Sequence, residues 1–183
     1  MVNFYFKNLE ISNLQDLLTE FKRSIDFDRY SEPFSYANLD FLDNCYVFRN
    51  WCDKKNLQVR KAAVIISDQK LNKSPPHIDS QDNSLALNFP IQNCENSYTE
   101  FYQIPKDSLM IAKRNGEVLS KSIISNSFGE CVTKYYLNSA VLINTHQPHK
   151  VVCLDHEQRI CISFRFVKDP WHLINEADTF LTD

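Results

Sequence analysis

The stretch AVLINTHQPHKVVCLDHEQRICISFRF, residues 140–166, contains three short apolar runs separated by two polar turns. Such runs, rich in Val, Ile and Phe and bounded by Asn, Gln and Asp, are typical of β-strands joined by short connections. In the last run, apolar and polar residues alternate: Ile160, Ile162, Phe164 and Phe166 against Arg159, Cys161, Ser163 and Arg165. Because successive side chains of a strand point to opposite faces, one face should pack in a core while the other meets something polar.

Similar patterns occur from Leu57 onward. The further candidate strands are LQVRKAAVIIS, SLALNFPI, YTEFYQI, SLMIAK, EVLSKSII and CVTKYYL. Many short strands without helices between them favour an antiparallel sandwich or barrel. The chain has only 2 glycines, so we expect Asn and Asp to supply much of the turn geometry.

The first third of the chain has helical spacing instead. In SNLQDLLTEFKR the leucines and Phe21 recur every three or four residues, and Ser12 with Gln15 fits a capping box. A second helix is predicted from Asp40 through FLDNCYVFRNWCDKK. Near the C-terminus, KDPWHLINEADTFL predicts a short helix capped by Asp169 and started by Pro170.

We therefore predict one domain over residues 1–183. It divides into a helical buttress over residues 1–56, a β core over residues 57–167 and a tail over residues 168–183.

Composition and charge exclude several classes of function. The net charge of -3 and the lack of any Lys/Arg run predict no affinity for nucleic acid or for acidic membranes. No apolar stretch is long enough to span a bilayer and no signal-like leader begins the sequence, so we expect a cytoplasmic protein. The 6 cysteines form no C-x-x-C pair, and we expect reduced thiols that serve as small apolar residues.

His77 and Asp79 lie in SPPHIDSQDN, at the start of a candidate strand. Residues i and i+2 of a strand share a face, so both side chains could bind one metal ion. The motif alone also fits a strand-end turn, in which Asp79 caps backbone amides and His77 is exposed.

His149 opens a strand and stands ten residues before Arg159. If these two strands pair as a hairpin, both residues project into one cavity. Two imidazoles and one carboxylate leave metal positions open, which suits iron(II) with oxygen and a chelating cosubstrate, whereas structural zinc favours a closed fourth position. An inward Arg159 needs an anionic partner, since a buried unpaired charge is costly, and a bound carboxylate would provide one.

The H-x-D pair, a distal His149 preceded by proline, and Arg159 ten residues later together resemble the iron(II)/2-oxoglutarate-dependent oxygenases. The resemblance covers residues 57–167. The phrase LNFPIQNCENSYTEFY is similar to small members near the aspartyl/asparaginyl hydroxylase and phytanoyl-CoA hydroxylase branches. The resemblance implies a mainly β, cupin-like double-stranded β-helix, or jelly roll, whose larger sheet is buttressed by the N-terminal α-helices.

The resemblance also implies residue roles. Fe(II) would be held by His77, Asp79 and His149, and the far carboxylate of 2-oxoglutarate would meet Arg159, whose planar guanidinium suits bidentate contact. Many members carry a hydroxyl residue two positions after this arginine, where this chain has Cys161. Further candidates for contact with the cosubstrate are Ser163, Asn88 and Thr99, and the amide of Asn88 would equally suit a structural role between backbone groups.

The implied reaction uses O2 to hydroxylate an unactivated C–H bond and releases succinate and CO2. The substrate would be a small metabolite or an amino-acid side chain, either free or in another protein. Two other classes stay open: a cupin-like metalloenzyme that does not use 2-oxoglutarate, and a non-catalytic jelly-roll binding module.

Two alternative ligand sets lie near His149. His146 competes with it for the metal, although His146 stands in a turn rather than on a strand. The segment HQPHKVVCLDH also offers a zinc cluster of His146, His149, Cys153 and His156, which strand alternation would scatter. We interpret His172 as a surface or packing residue, and Arg165 as one half of an ion pair at a strand end.

Overall fold

The computed structural model describes residues 4–79, 83–103, 109–114, 117–123 and 129–175. The strands within these ranges are β1 (Phe6–Leu9), β2 (Phe34–Ala37), β3 (Val59–Ser67), β4 (His77–Asp79), β5 (Leu85–Gln92), β6 (Ser97–Tyr102), β7 (Leu109–Arg114), β8 (Glu117–Ile123), β9 (Cys131–Tyr136), β10 (Ala140–Asn144), β11 (His149–Cys153) and β12 (Arg159–Phe166). The α-helices are α1 (Leu14–Ser24), α2 (Tyr46–Lys54) and α3 (His172–Asn175). Three 3-10 helices span Phe27–Arg29, Leu39–Asn44 and Gln69–Lys73.

The strands form two antiparallel sheets of six strands each. The first, the helix-side sheet, has the order β1-β10-β5-β12-β3-β2, and the second, the open-side sheet, has the order β7-β8-β4-β11-β6-β9. Apart from the consecutive pairs β2-β3 and β7-β8, neighbouring strands are not consecutive in sequence, because the chain crosses repeatedly between the sheets. This is the jelly-roll architecture that the sequence predicted.

The helices cover the outer face of the helix-side sheet, as predicted. Phe21 of α1 and Phe48 of α2 contact Phe164 of β12, with ring centroids 5.4 and 4.5 Å away, and all three rings are fully buried. The other inward residues of this face of β12 (Ile160, Ile162 and Phe166) belong to the same core cluster. The predicted alternation along β12 is therefore confirmed, and its polar face is turned toward the second sheet.

Several helix predictions were wrong in detail. The first third of the chain also contributes the edge strands β1 and β2, which are four residues long and too short to show a clear alternation. The second helix is interrupted: a 3-10 helix that begins where the Asn38 side chain accepts a hydrogen bond from the Asp40 N–H ends before α2 starts at Tyr46. Helix α1 begins at Leu14 after Asn13, with no side-chain capping bond, so the predicted capping box does not form.

Asp169 does not cap the C-terminal helix, which starts at His172. Its carboxylate instead accepts hydrogen bonds from Ser84 N, Ser84 Oγ and Leu85 N, at 2.7 to 3.1 Å, and so fixes the start of β5. The expected role of asparagine in turns is supported by Asn56 and Asn93, the non-glycine residues with positive φ among those described, at 52° and 50°.

All six cysteines are reduced, and Cys131 alone among them is exposed. Burial raises the pKa of Cys52 to about 12 and that of Cys94 to about 11. We expect iodoacetamide at pH 8 to alkylate one thiol of the native protein quickly, since the thiolate is the reactive form and the other thiols are buried. Mass spectrometry should place that modification on Cys131, with six modifications after denaturation. A second fast thiol in the native protein would contradict the burial of the cysteines.

None of the helices that the structure describes is both long and apolar enough to cross a membrane.

Candidate metal and anion site

A cavity of about 400 Å³ lies between the two sheets. Its floor is the polar face of β12, and its roof comes from β4, β6 and β11 of the open-side sheet. All the predicted site residues line it: His77, Asp79, Asn88, Thr99, His149, Arg159 and Ser163. The cavity thus brings together residues that are as much as 86 positions apart in the sequence.

His149 and Arg159 reach this cavity by a different route from the predicted hairpin, which is wrong. Strand β11 pairs with β4 and β6, whereas β12 pairs with β3 and β5 in the other sheet. The connection LDHEQ carries the chain from one sheet to the other, as a jelly roll requires. The two side chains therefore enter the cavity from opposite sheets.

His77 and His149 are directly opposed on neighbouring antiparallel strands, with ring centroids 4.6 Å apart. Asp79 follows on the same face of β4, and one ligand atom from each of the three residues lies within 4.8 Å of the others. Within the described part of the chain, this is the one cluster of three such residues. His146 and His156 are exposed, and the alternative zinc cluster is not assembled.

The tautomer of His149 and the neutral form of His77 suit both imidazoles to metal binding. His149 Nδ1 lies 2.9 Å from the carbonyl oxygen of Gln147, and because a carbonyl only accepts, this nitrogen carries the proton. The lone pair of His149 is therefore on Nε2. Burial and the neighbouring His149 lower the pKa of His77 to about 4, although Asp79 acts in the opposite direction. His77 is accordingly neutral at pH 7 and needs to lose no proton before it binds a metal.

Asp79 is held by a partner that the sequence did not identify. Arg165 Nη2 donates a hydrogen bond of 2.6 Å to Asp79 Oδ2, and Arg165 Nη1 donates one of 2.8 Å to Thr145 Oγ1. The ion pair predicted for Arg165 exists, but it lies inside the cavity. Asp79 Oδ1 lies 3.5 Å from His77 Nε2. One carboxylate oxygen thus meets the arginine while the other is turned toward the histidines.

Arg159 is buried, with 3% of its surface exposed, and lies toward the opposite part of the cavity floor. Its Nη1 is 3.5 Å from Cys161 Sγ, a weak acceptor, and its Nε has no hydrogen-bond partner. Burial raises the pKa of Cys94 to about 11 and also raises the pKa of Cys153. These nearby thiols stay neutral at pH 7, and among the described residues no carboxylate pairs with Arg159.

Two more buried polar atoms near Arg159, Asn88 Oδ1 and the Tyr135 hydroxyl, make no hydrogen bond of regular geometry within the described residues. Burial raises the pKa of Tyr135, while hydrogen bonding from the side chains of Thr99 and Asn88 and the positive charge of Arg159 act in the opposite direction. All three side chains therefore lie close to the Tyr135 hydroxyl. Buried polar groups normally have well-formed hydrogen bonds, and a buried group whose bonds are incomplete suits contact with a polar ligand. Sequence reasoning missed Tyr135, although it faces inward on the predicted strand CVTKYYL and is paired with Thr99.

No protein-family model matches the sequence, and no curated protein matches it significantly. The fold is similar to that of the epimerase SnoN, solved in complex with Fe3+, alpha ketoglutarate and nogalamycin RO, with a TM-score of 0.50 and 12% identity over 98% of this chain and 88% of that one. It also matches the non-heme alpha ketoglutarate dependent carbocyclase SnoK (TM-score 0.47, 8% identity, 95% and 87% coverage). AviO1 from Streptomyces viridochromogenes Tue57 gives a TM-score of 0.47 and 9% identity, with 89% of each chain covered. At this identity the likeness to SnoN shows a shared jelly-roll fold.

Proposed function

We propose that the protein is an Fe(II)- and 2-oxoglutarate-dependent oxygenase that hydroxylates an unactivated C–H bond. The observation that carries the proposal is Arg159, a buried cation with no anionic partner among the described residues, in the same cavity as the cluster His77, Asp79 and His149. A keto acid with a second carboxylate satisfies both features, because one end can chelate a metal while the other pairs with the guanidinium. The neighbour SnoN, solved with Fe3+ and alpha ketoglutarate, makes these the first ligands to test.

The three clustered side chains fit a metal with open positions. Ligand atoms about 2.1 Å from a shared ion lie at most about 4.2 Å from one another, so the observed limit of 4.8 Å requires only small side-chain rotations. Gln147 fixes the ring of His149 and Arg165 fixes the carboxylate of Asp79, as outer partners of metal ligands commonly do. Two histidines and one carboxylate are the ligand set typical of non-heme iron(II).

The remaining polar residues of the site would bind and orient 2-oxoglutarate. Arg159 would hold the far carboxylate of 2-oxoglutarate, with Asn88, Thr99, Ser163 and Tyr135 around it as hydrogen-bonding groups. When bound, iron and 2-oxoglutarate would supply the oxidation of a substrate C–H bond by O2, with conversion of 2-oxoglutarate to succinate and CO2. The apolar residues that line the rest of the cavity would exclude water from this chemistry. The substrate would be a small molecule or an amino-acid side chain, including one presented by another protein.

The test is an anaerobic titration of the protein with Fe(II) and then with 2-oxoglutarate. We expect a visible charge-transfer band of the metal–keto-acid chelate in the wild type and its loss in His149→Ala, which removes one of three ligands. His146→Ala is the matched control, because this exposed neighbouring histidine is outside the cluster and should leave the band unchanged.

Other results would contradict the proposal in distinguishable ways. Fe(II) binding without any effect of 2-oxoglutarate would indicate a cupin-like metalloenzyme of another kind. A folded protein that binds no metal would indicate a binding module. Loss of the band in His146→Ala, with its retention in His149→Ala, would show that the wrong histidine has been assigned.

A further inference from the structure

The cavity continues beyond β12 onto β3 and the edge strand β2. In the register of these strands Phe34 is paired with Ile65, and Tyr36 with Ala63. Paired residues of antiparallel strands point to the same side of a sheet, and all four line the cavity. The two aromatic rings lie 5.1 Å apart and are still 49% and 53% exposed. The helix-side sheet thus carries an aromatic pair at the open end of the cavity, where a ligand could cover it.

Small side chains separate this aromatic pair from the candidate metal cluster. Ala63 is paired with Ser163 on one side and with Tyr36 on the other. At the usual spacing of neighbouring strands, the distance from Ser163 to Tyr36 across Ala63 is about 10 Å. An aromatic ring or a compact apolar group fits on this shelf, formed by Ala63, Ser163 and Tyr36, without displacing a large side chain.

The cavity lining is positively charged, although the whole chain has a net charge of -3. Among the described residues it includes the cationic side chains of Lys61, Arg159 and Arg165 and one carboxylate, Asp79. Lys150 also lines the cavity, but its Nζ donates a hydrogen bond of 2.9 Å to the Asn72 carbonyl oxygen. Asp79 already pairs with Arg165. A divalent metal and a 2-oxoglutarate dianion would cancel each other in charge, so the lining would stay positive with both bound.

Lys61 is the cation of this lining nearest to the aromatic pair. It is paired with Arg165 across β3 and β12, and its Nζ lies 5.1 Å from the ring centroid of Tyr36. The Lys61 ammonium therefore lies next to the shelf, and the Lys61 backbone is paired with Arg165, the partner of Asp79. A lining whose charged groups are mainly cationic, with apolar walls, attracts anionic small molecules and disfavours cations.

We propose that the open end of the cavity binds the primary substrate, and that this substrate is a small molecule with a planar apolar body and an anionic group. The body would lie on the shelf against Phe34 and Tyr36, and the carboxylate or phosphate would meet Lys61. The proposal rests on the proposed function, which assigns Arg159 to 2-oxoglutarate and leaves this end for the substrate. The charge of the described lining disfavours lysine or arginine side chains and polyamines as substrates.

The test measures binding of four probes with a phenyl ring: 3-phenylpropionate, phenyl phosphate, 3-phenylpropan-1-ol and 3-phenylpropan-1-amine. The protein is loaded with Zn(II) and saturating 2-oxoglutarate, so that no turnover occurs and Arg159 is occupied, and binding is followed by saturation-transfer NMR and calorimetry. We expect at least one anionic probe to bind about tenfold more tightly than the amine. The ratio between the two anionic probes distinguishes a carboxylate from a phosphate substrate.

Variants locate the binding. Lys61→Gln should weaken binding of the anionic probe about fivefold and leave binding of the neutral alcohol unchanged. The double variant Phe34→Ala with Tyr36→Ala should weaken binding of both probes. The matched controls are Lys134→Gln and Tyr136→Ala, since Lys134 Nζ likewise lies over a tyrosine ring, 5.9 Å from the centroid of Tyr136, but on the opposite sheet and away from the cavity. The controls should change neither affinity.

Equal binding of the acid and the amine would overturn the proposal, and so would anion binding that is unaffected by Lys61→Gln but lost in Arg159→Gln. Repeating the titration with metal-free protein separates this failure from failure of the proposed function. If the anionic probe binds the metal-free protein, and the Lys61 and aromatic-pair variants weaken that binding as before, the proposed substrate subsite is supported even when 2-oxoglutarate does not bind.

Discussion

Replacing Arg159 with glutamine is expected to weaken 2-oxoglutarate binding to the metal-loaded protein by about thirtyfold to a few thousandfold. Removing one partner of a buried, hydrogen-bonded charge pair costs about 2–5 kcal/mol, which corresponds to that loss of affinity. The neutral amide cannot balance the far carboxylate, and the groups that act most strongly on Arg159 are the thiols of Cys161, Cys94 and Cys153 and the Tyr135 hydroxyl, none of which is a cation. The measurement is the 2-oxoglutarate concentration that half-saturates the visible band.

The same substitution should stabilise the protein in the absence of ligands. Arg159 is then a buried charge for which the described ranges offer no anionic partner, and a neutral side chain of similar shape removes its desolvation cost. We expect a higher melting temperature for metal-free Arg159→Gln than for the wild type. A higher melting temperature together with weaker 2-oxoglutarate binding indicates that Arg159 serves ligand binding. If Arg159 had a structural role, its replacement would lower the stability of the protein.

Arg60→Gln is the matched control for this experiment. Arg60 is an exposed arginine on β3 that is not among the cavity residues. Its replacement should leave the 2-oxoglutarate affinity unchanged. An Arg159→Gln protein that melts at a lower temperature and binds 2-oxoglutarate like the wild type would remove the main support for the proposed function.

The parts of the structure that the sequence predicted well are those governed by local pattern. Alternation along residues 159–166 separates a core face from a cavity face, and the structure has both faces. Most strands from Val59 onward have their predicted positions within two residues, since each is bounded by turn residues. The pair His77 and Asp79 shares a face because strand geometry requires it.

The parts that were missed depend on contacts between distant segments. Strand β11 pairs with β4 rather than with β12 because the chain passes from one sheet to the other between β11 and β12. The local sequence pattern does not show to which sheet a strand belongs. The bond from Arg165 to Asp79 joins residues 86 positions apart. Tyr135 was visible as an inward residue of a strand, but its position near Arg159 follows only from the pairing of β9 with β6.

The pair of Asp79 and Arg165 provides the second large expected effect. Asp79→Ala removes one of three metal ligands and should abolish Fe(II) binding, measured by titration. It also leaves Arg165, whose side chain is only 12% exposed, without its carboxylate, and we expect the metal-free protein to lose about 2 kcal/mol of stability in urea unfolding. Arg165→Met should keep the metal site but weaken it about tenfold to a hundredfold, because Asp79 loses the partner that orients it.

Combining the two substitutions tests whether the arginine serves the carboxylate. In the double variant no charge is stranded, so its stability should exceed that of Asp79→Ala alone, with a coupling of about 1–2 kcal/mol. The control cycle is Asp26→Ala with Arg29→Met, an ion pair of 2.8 Å whose side chains are 54% and 81% exposed, where the coupling should stay below about 0.5 kcal/mol. Additive effects at Asp79 and Arg165 would mean that Arg165 is held by Thr145 and the Asn83 carbonyl alone. Strong coupling with weakened metal binding would mean that Arg165 orients one oxygen of Asp79 toward the two histidines.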